Sequence, residues 1–68
     1  MTHLEKLAKS YEVDDFFDYI IENQINGNFT DVRELFNELT KKERYAFIAY
    51  AQDHGQYGRE AVQNILNH

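Results

Sequence analysis

The residues in this sequence that could do chemistry are three histidines, one serine and a concentration of carboxylates. His3, His54 and His68 have no histidine partner four residues away and no His-x-x-Glu spacing, which metal sites on helices commonly use. Ser10 is the only serine and cysteine is absent, so no activated nucleophile and no thiolate site is indicated. The sequence therefore predicts a protein that is not an enzyme and that holds no metal or cofactor.

The carboxylates are concentrated in the middle of the chain. The formal net charge is −5, and residues 12–38 contain eight acidic residues against a single base, Arg33. Such a charge distribution repels phosphate groups, so nucleic acid is disfavoured as a partner.

Part of this acid is expected to form a ridge on one helix. Asp14, Asp18 and Glu22 follow one another at intervals of four residues with Asp15 beside them, opposite an apolar arc. Four residues at the helical rise span about 6 Å, close to the separation of successive phosphates on a DNA strand. Two interpretations remain open: an ordinary solvated face, or a DNA mimic that occupies a basic DNA-binding groove.

The elements that position these groups are predicted to be helices, because the chain has no proline and only three glycines. Thr2 and Glu5 have capping-box spacing and predict helix one over about residues 3–11. A new apolar stripe after residue 12 predicts helix two, capped by Asp14 or Asp15 and running to about residue 26.

The second half of the chain contains further helix boundaries. Residues 26–28, Asn-Gly-Asn, should end helix two, and Thr30 is the expected N-cap of helix three. Thr40 and Glu43 form a second capping box for helix four, which should end near residue 54 with Gly55 as its left-handed cap. Gly58 is expected to open the last helix, with residues 56 and 57 in the joint. The prediction is all-α: a compact bundle of four or five short helices in a single domain, residues 1–68.

Helix four contains seven consecutive uncharged residues, 45–51, which leave it without a polar face. Such a helix is expected to be covered on every side. Either the other helices wrap it as a central helix, or one side of it forms a homodimer or partner interface. Tyr45 and Tyr50 are then candidate contacts, together with Tyr19 on helix two, because tyrosine is enriched in binding hot spots.

Residues 39–44, Leu-Thr-Lys-Lys-Glu-Arg, resemble the start of helix-turn-helix domains in bacterial response regulators. That resemblance implies a recognition helix with basic or amide side chains for phosphates and base edges. Arg59 is the only base in the predicted last helix. A capping box explains the same motif without DNA.

Residues 29–39, followed by Glu43, Arg44 and Phe47, resemble the helical region of plasmid and phage antirestriction proteins of the ArdA type, and many small acidic phage proteins. Members of that family are dimeric DNA mimics. The resemblance therefore implies that the acidic ridge mimics DNA and that the uncharged helix four forms a dimer interface. This chain is far shorter and its last third is not acidic, so no residue role is carried over.

The functional prediction is a noncatalytic protein from a phage or mobile element that binds and modulates a host protein. The alternatives are a small helix-turn-helix-like regulator and a self-associating assembly subunit. A complete gene product is expected from Met1, in the cytoplasm and off the membrane, because no signal peptide and no apolar run of about 20 residues occurs. The candidate partner-binding residues are Asp14, Asp15, Asp18, Tyr19, Glu22, Tyr45 and Tyr50.

Overall fold

The computed structural model describes residues 1–67, so the sequence-based interpretation of His68 lies outside the described residues. The described part is an all-α bundle without strands, which confirms the predicted fold class. None of its helices has the length and apolar character needed to cross a membrane. The helices are α1 (His3–Ser10), α2 (Phe16–Ile25), α3 (Phe29–Asn37), α4 (Lys41–Gln52) and α5 (Gly55–Leu66).

Three helix starts follow the predicted capping chemistry. Both capping boxes form: the Glu5 amide donates to the Thr2 hydroxyl at 3.1 Å, and the Glu43 amide donates to the Thr40 hydroxyl at 3.2 Å. Asp15 caps α2 by accepting a hydrogen bond from a backbone amide in the first turn. Each cap satisfies an amide that the helix itself leaves without a partner.

The start of α3 differs from the prediction. Asn28, not Thr30, is the N-cap, and its carbonyl accepts the first helical hydrogen bond, from Val32 at 3.1 Å. Gly27 (φ 80°) ends α2 as predicted, and the Asn28 amide bonds back to the Asn23 carbonyl at 2.9 Å. The chain is therefore already turned into α3 at residue 28, and Thr30 falls within its first turn.

The joint between α4 and α5 is also shorter than predicted. Helix α4 ends at Gln52, Gly55 has the predicted positive φ of 80°, and α5 begins at that glycine. Gly58 does not open the helix but lies buried inside it, against α4. A Cβ atom built on Gly58 would lie 2.1 Å from the carbonyl oxygen of Ala51, so the absent side chain is what lets the helices approach this closely.

One hydrophobic core joins the five helices around Phe47, which is fully buried in α4. Its ring meets Phe17 of α2 and Phe36 of α3 edge-on, with centroid separations of 5.3 and 5.9 Å. The buried apolar residues are Ala8, Phe16, Ile20, Ile21, Val32, Leu35, Phe36, Leu39, Phe47, Ala51, Ala61 and Val62.

The expectation that the other helices wrap α4 on every side is wrong. Phe47 and Ala51 are buried, but Tyr45 is 67% exposed, and Ala46 and Ala49 are exposed with it. The remaining short helices cover only the side of α4 that carries Phe47. Two alanine methyl groups and a tyrosine ring ending in a hydroxyl leave a modest apolar surface on the other side.

Candidate functional site: an acidic face built from two grooves

The carboxylates of residues 12–38 gather on one surface. They line two neighbouring grooves that share Tyr19, and all eight are exposed. The first, called the carboxylate groove, has a volume of about 310 Å³ and is lined by Glu12, Val13, Asp14, Asp15, Asp18, Tyr19 and Glu22. The second, called the tyrosine groove, has a volume of about 390 Å³ and is lined by Tyr11, Tyr19, Asn23, Asp31, Glu34, Leu35 and Glu38. We call the eight carboxylates together the acidic face.

Local structure explains how the two halves of this face meet. Asp31 and Glu34 of α3 and Glu38, the C-cap of that helix, recur at intervals of three and four residues, which places them on one side of it. On α2 the pair Asp18 and Glu22 has the same spacing. Helices α2 and α3 pack against each other, so the two acidic sides become neighbours.

The predicted ridge is only partly helical. Asp14 precedes α2 and Asp15 is its N-cap, so the helix itself carries only Asp18 and Glu22 of the four acids. The expectation that Asp14 lies on the helix is therefore wrong. The reason is that Asp15, rather than Asp14, caps the helix, which leaves residue 14 in the connection from α1. All four acids nevertheless line the carboxylate groove.

The acidic face is not neutralised by lysine or arginine. Within residues 1–67 the ion pairs are His3 with Glu43 at 2.7 Å and His54 with Asp18 at 3.8 Å. Arg33, the base nearest in sequence, donates instead to the Asn64 side chain at 2.7 Å and lies on a different groove. The negative potential over the two grooves therefore comes from carboxylates without a permanently charged counterion.

The eight acids divide into two groups by their contacts. Three have a role in the fold: Asp15 caps α2, Asp18 accepts from the Tyr50 hydroxyl, and Glu38 accepts from the Tyr11 hydroxyl. The other five accept no hydrogen bond from within residues 1–67, and they are Glu12, Asp14, Glu22, Asp31 and Glu34. These five carboxylates are the ones free to meet a partner.

Glu12 adds a feature that the sequence did not reveal. Its φ is 59°, the only positive φ of a non-glycine residue in the described chain. It occupies the position after α1 where glycine is usual, and the following amide, of Val13, bonds back to the Ala8 carbonyl at 2.9 Å. A left-handed conformation costs a residue with a Cβ atom roughly 1–2 kcal/mol. The chain thus keeps a carboxylate at the rim where glycine would be less strained.

The candidate tyrosines do not act together. Tyr19 lines both grooves, while the Tyr50 hydroxyl is committed to Asp18 and its ring stacks on His54 at 4.8 Å. Tyr45 lines neither groove. Sequence reasoning missed Tyr11 and the α3 acids, although the spacing of Asp31, Glu34 and Glu38 was visible in the sequence.

The described residues contain no group of three or more His, Asp or Glu side chains placed to hold a metal ion. The grooves are open and their carboxylates are spread along the rim. The arrangement is therefore suited to long-range attraction of a cationic surface and to charge-assisted hydrogen bonds with lysine or arginine.

Titration of the tyrosines should report two of these contacts. The Tyr11 hydroxyl donates a hydrogen bond to Glu38, and the Tyr50 hydroxyl donates one to Asp18. Each hydrogen bond raises the pKa of its tyrosine from 10.0 to about 12. Because these pKa values are raised in the folded protein, the contacts stabilise it fully below pH 10 and lose their effect as the pH rises to about 12. Phenolate absorbance should show a late phase that shrinks by half in Tyr50→Phe. An unchanged late phase in that variant would contradict the assignment.

Comparison of the chain with protein-family models, with curated proteins and with solved structures returns no match.

Proposed function

We propose that this protein is a noncatalytic interaction module that binds a basic surface of a host protein through the acidic face and modulates that protein. The observation that carries the proposal is the gathering of eight carboxylates on two adjoining grooves, where no lysine or arginine of residues 1–67 is paired with them. Charge complementarity of this kind accelerates association and selects basic partners.

Two features of the acidic face lower the stability of the folded protein, and they support the same proposal. Neighbouring carboxylates repel one another, and Glu12 adds the strain of its backbone conformation. Sites that are kept against stability are commonly sites of function. Interleaved lysines on α2 and α3 would remove the repulsion, and the chain has none there.

In its sharper form, the partner is a DNA-binding protein and the acidic face takes the place of the DNA backbone. Exposed carboxylates on two helices and at a helix end present a row of negative charges over a groove, as phosphates do along a duplex. The resemblance of residues 29–39 to antirestriction proteins fits this form, and so does an origin in a phage or mobile element acting in the host cytoplasm.

A matched pair of charge reversals tests the proposal. The first variant, Glu22→Lys with Glu34→Lys, changes one free carboxylate in each groove. The second, Asp53→Lys with Glu60→Lys, changes the net charge equally but lies off the acidic face. The host protein captured by the wild type from lysate is purified, and its affinity for each variant is measured by calorimetry.

The first variant should bind at least about tenfold more weakly, while the second should stay within about twofold. Duplex DNA should displace the wild type from the captured protein if the face is a DNA mimic. Equal losses in the two variants would show that net charge alone is responsible and would refute a dedicated face. Helicity and melting temperature serve as folding controls, and relief of repulsion should leave the first variant at least as stable as the wild type.

Self-association is a second candidate, favoured by one observation. Tyr45, Ala46 and Ala49 form an exposed side of α4 that residues 1–67 do not cover. Sedimentation across protein concentration separates a subunit that assembles through this side from a monomeric interaction module.

The helix-turn-helix alternative has no such support, because Thr40 and Glu43 are used as a capping box.

A further inference from the structure

A third groove lies beside the acidic face and has a different chemistry. It has a volume of about 410 Å³ and lies between α2 and the start of α5. Its apolar side chains are Ile21, which is buried, and Ile25 and Tyr57, which are 51% and 48% exposed. Asp18, Glu22 and His54 complete its lining. We call it the apolar groove.

The apolar groove brings two exposed apolar side chains together at the edge of the acidic face. Met1, Tyr45 and Leu66 are also exposed, but none of them lines this groove. Ile25 of α2 and Tyr57 of α5 line one groove together with the buried Ile21, which gives the groove a concave apolar part. Contiguous apolar surface with a polar rim is typical of interaction sites.

Two carboxylates join this groove to the acidic face. Asp18 and Glu22 line both the carboxylate groove and the apolar groove, so they form the crest between them. A partner lying across the crest would meet unneutralised carboxylates on one side and apolar side chains on the other. Such a surface is complementary to a helix with basic residues on one face and apolar residues beside them.

We propose that the apolar groove receives an apolar side chain of a basic amphipathic helix of the partner protein, whose lysines or arginines lie over the carboxylate groove. The proposal rests on the proposed function, because it takes the acidic face as the partner's docking surface. It adds that apolar anchoring, and not charge alone, selects the partner.

Charge favours a basic helix over a second copy of the chain or a membrane surface as the occupant of the apolar groove. A second copy of the chain would bring its own net charge of −5 and a second acidic face toward Asp18 and Glu22. An anionic membrane surface would be repelled in the same way. A cationic helix gains most at Glu22, whose carboxylate accepts no hydrogen bond within residues 1–67, and it also buries Ile25 and Tyr57.

Two synthetic peptides with the same number of lysines test the inference. One is an amphipathic leucine-lysine helix and the other is an oligolysine. At low ionic strength the amphipathic peptide should bind at least about tenfold more tightly, equivalent to 1.4 kcal/mol, because only it can fill the apolar groove. Amide chemical shifts should move at Ile25 and Tyr57 with this peptide and not with oligolysine.

Matched variants locate the effect. Ile25→Ser with Tyr57→Ser should reduce the affinity for the amphipathic peptide to that for oligolysine and leave oligolysine binding unchanged. Tyr45→Ser with Leu66→Ser removes comparable exposed side chains elsewhere and should change neither affinity. Circular dichroism verifies that both variants fold.

The outcomes separate this inference from the proposed function. Equal affinities for the two peptides, or a tight amphipathic complex that survives the Ile25 and Tyr57 changes, would overturn the apolar groove as an anchor and leave the acidic face intact. Binding of neither peptide would overturn both proposals.

Discussion

Gly58→Ala is expected to destabilise the protein by about 3 kcal/mol, which is the upper end of the usual cost of overpacking and a large part of the stability of a chain of this length. At 0.05–0.15 kcal/mol per residue, 68 residues hold roughly 3–10 kcal/mol in total. The new methyl carbon would lie 2.1 Å from the Ala51 carbonyl oxygen, which is a backbone atom and cannot rotate away. Helices α4 and α5 would have to separate, and the core residues Ala51 and Ala61 would lose their contacts.

The other two glycines supply the control for this prediction. Gly27 and Gly55 both have φ of 80°, but a Cβ atom on either would meet nothing within 4 Å. Their alanine variants should lose only about 1–2 kcal/mol, the cost of a left-handed backbone. Urea unfolding followed by circular dichroism gives all three values. A Gly58→Ala protein no less stable than Gly27→Ala would disprove the close approach of the two helices.

Gly58 also shows where sequence reasoning fails for this fold. The sequence predicts that Gly58 opens the last helix, because residue type alone indicates only that the backbone is free at a glycine. Its actual role depends on the Ala51 carbonyl on another helix, and no local pattern reports that distance. The capping boxes at Thr2 and Thr40 were predicted correctly because every atom in them lies within four residues.

In the candidate site, too, the sequence predicts the local features and not the contacts between helices. Composition alone located the acids in residues 12–38, and the spacing of Asp18 and Glu22 predicted one half of the surface. The packing of α3 against α2, which brings Glu34 alongside, is tertiary and was not foreseen. Ile25 continues the apolar stripe of α2 and would be assigned to the core, but α2 ends there and leaves it half-exposed.

Residue type alone does not predict which of the candidate tyrosines line the grooves. The sequence predicts both Tyr45 and Tyr50 as partner contacts, because they lie in one uncharged segment. Five positions along a helix rotate the side chain by more than one turn, so the two rings meet different surroundings. Tyr50 is fixed to Asp18, whereas Tyr45 points away from the grooves and extends to solvent.

Phe47→Ala is the second change with a very large expected effect, a loss of about 3–5 kcal/mol. Phe47 is fully buried and its ring contacts aromatic rings from α2 and α3, so truncation leaves a cavity that three helices border. This loss is a large part of a total of roughly 3–10 kcal/mol, so the protein should unfold at a clearly lower temperature and urea concentration. Thermal and urea unfolding measure it.

The consequence of Phe47→Ala should extend to the acidic face. Phe17 contacts Phe47 on one side and the Tyr50 ring on the other, at 5.7 Å, and Tyr50 donates to Asp18. Loss of Phe47 therefore removes support from the contact that holds Asp18, the carboxylate at the crest.

Phe47→Leu keeps most of the side-chain volume and should fold with a loss of about 1 kcal/mol. In this variant the late phase of tyrosine titration should begin at lower pH. Phe29→Ala, at a ring that is 50% exposed, is the matched control and should leave both stability and titration nearly unchanged. If Phe29→Ala were as destabilising as Phe47→Ala, the core would not be centred on α4.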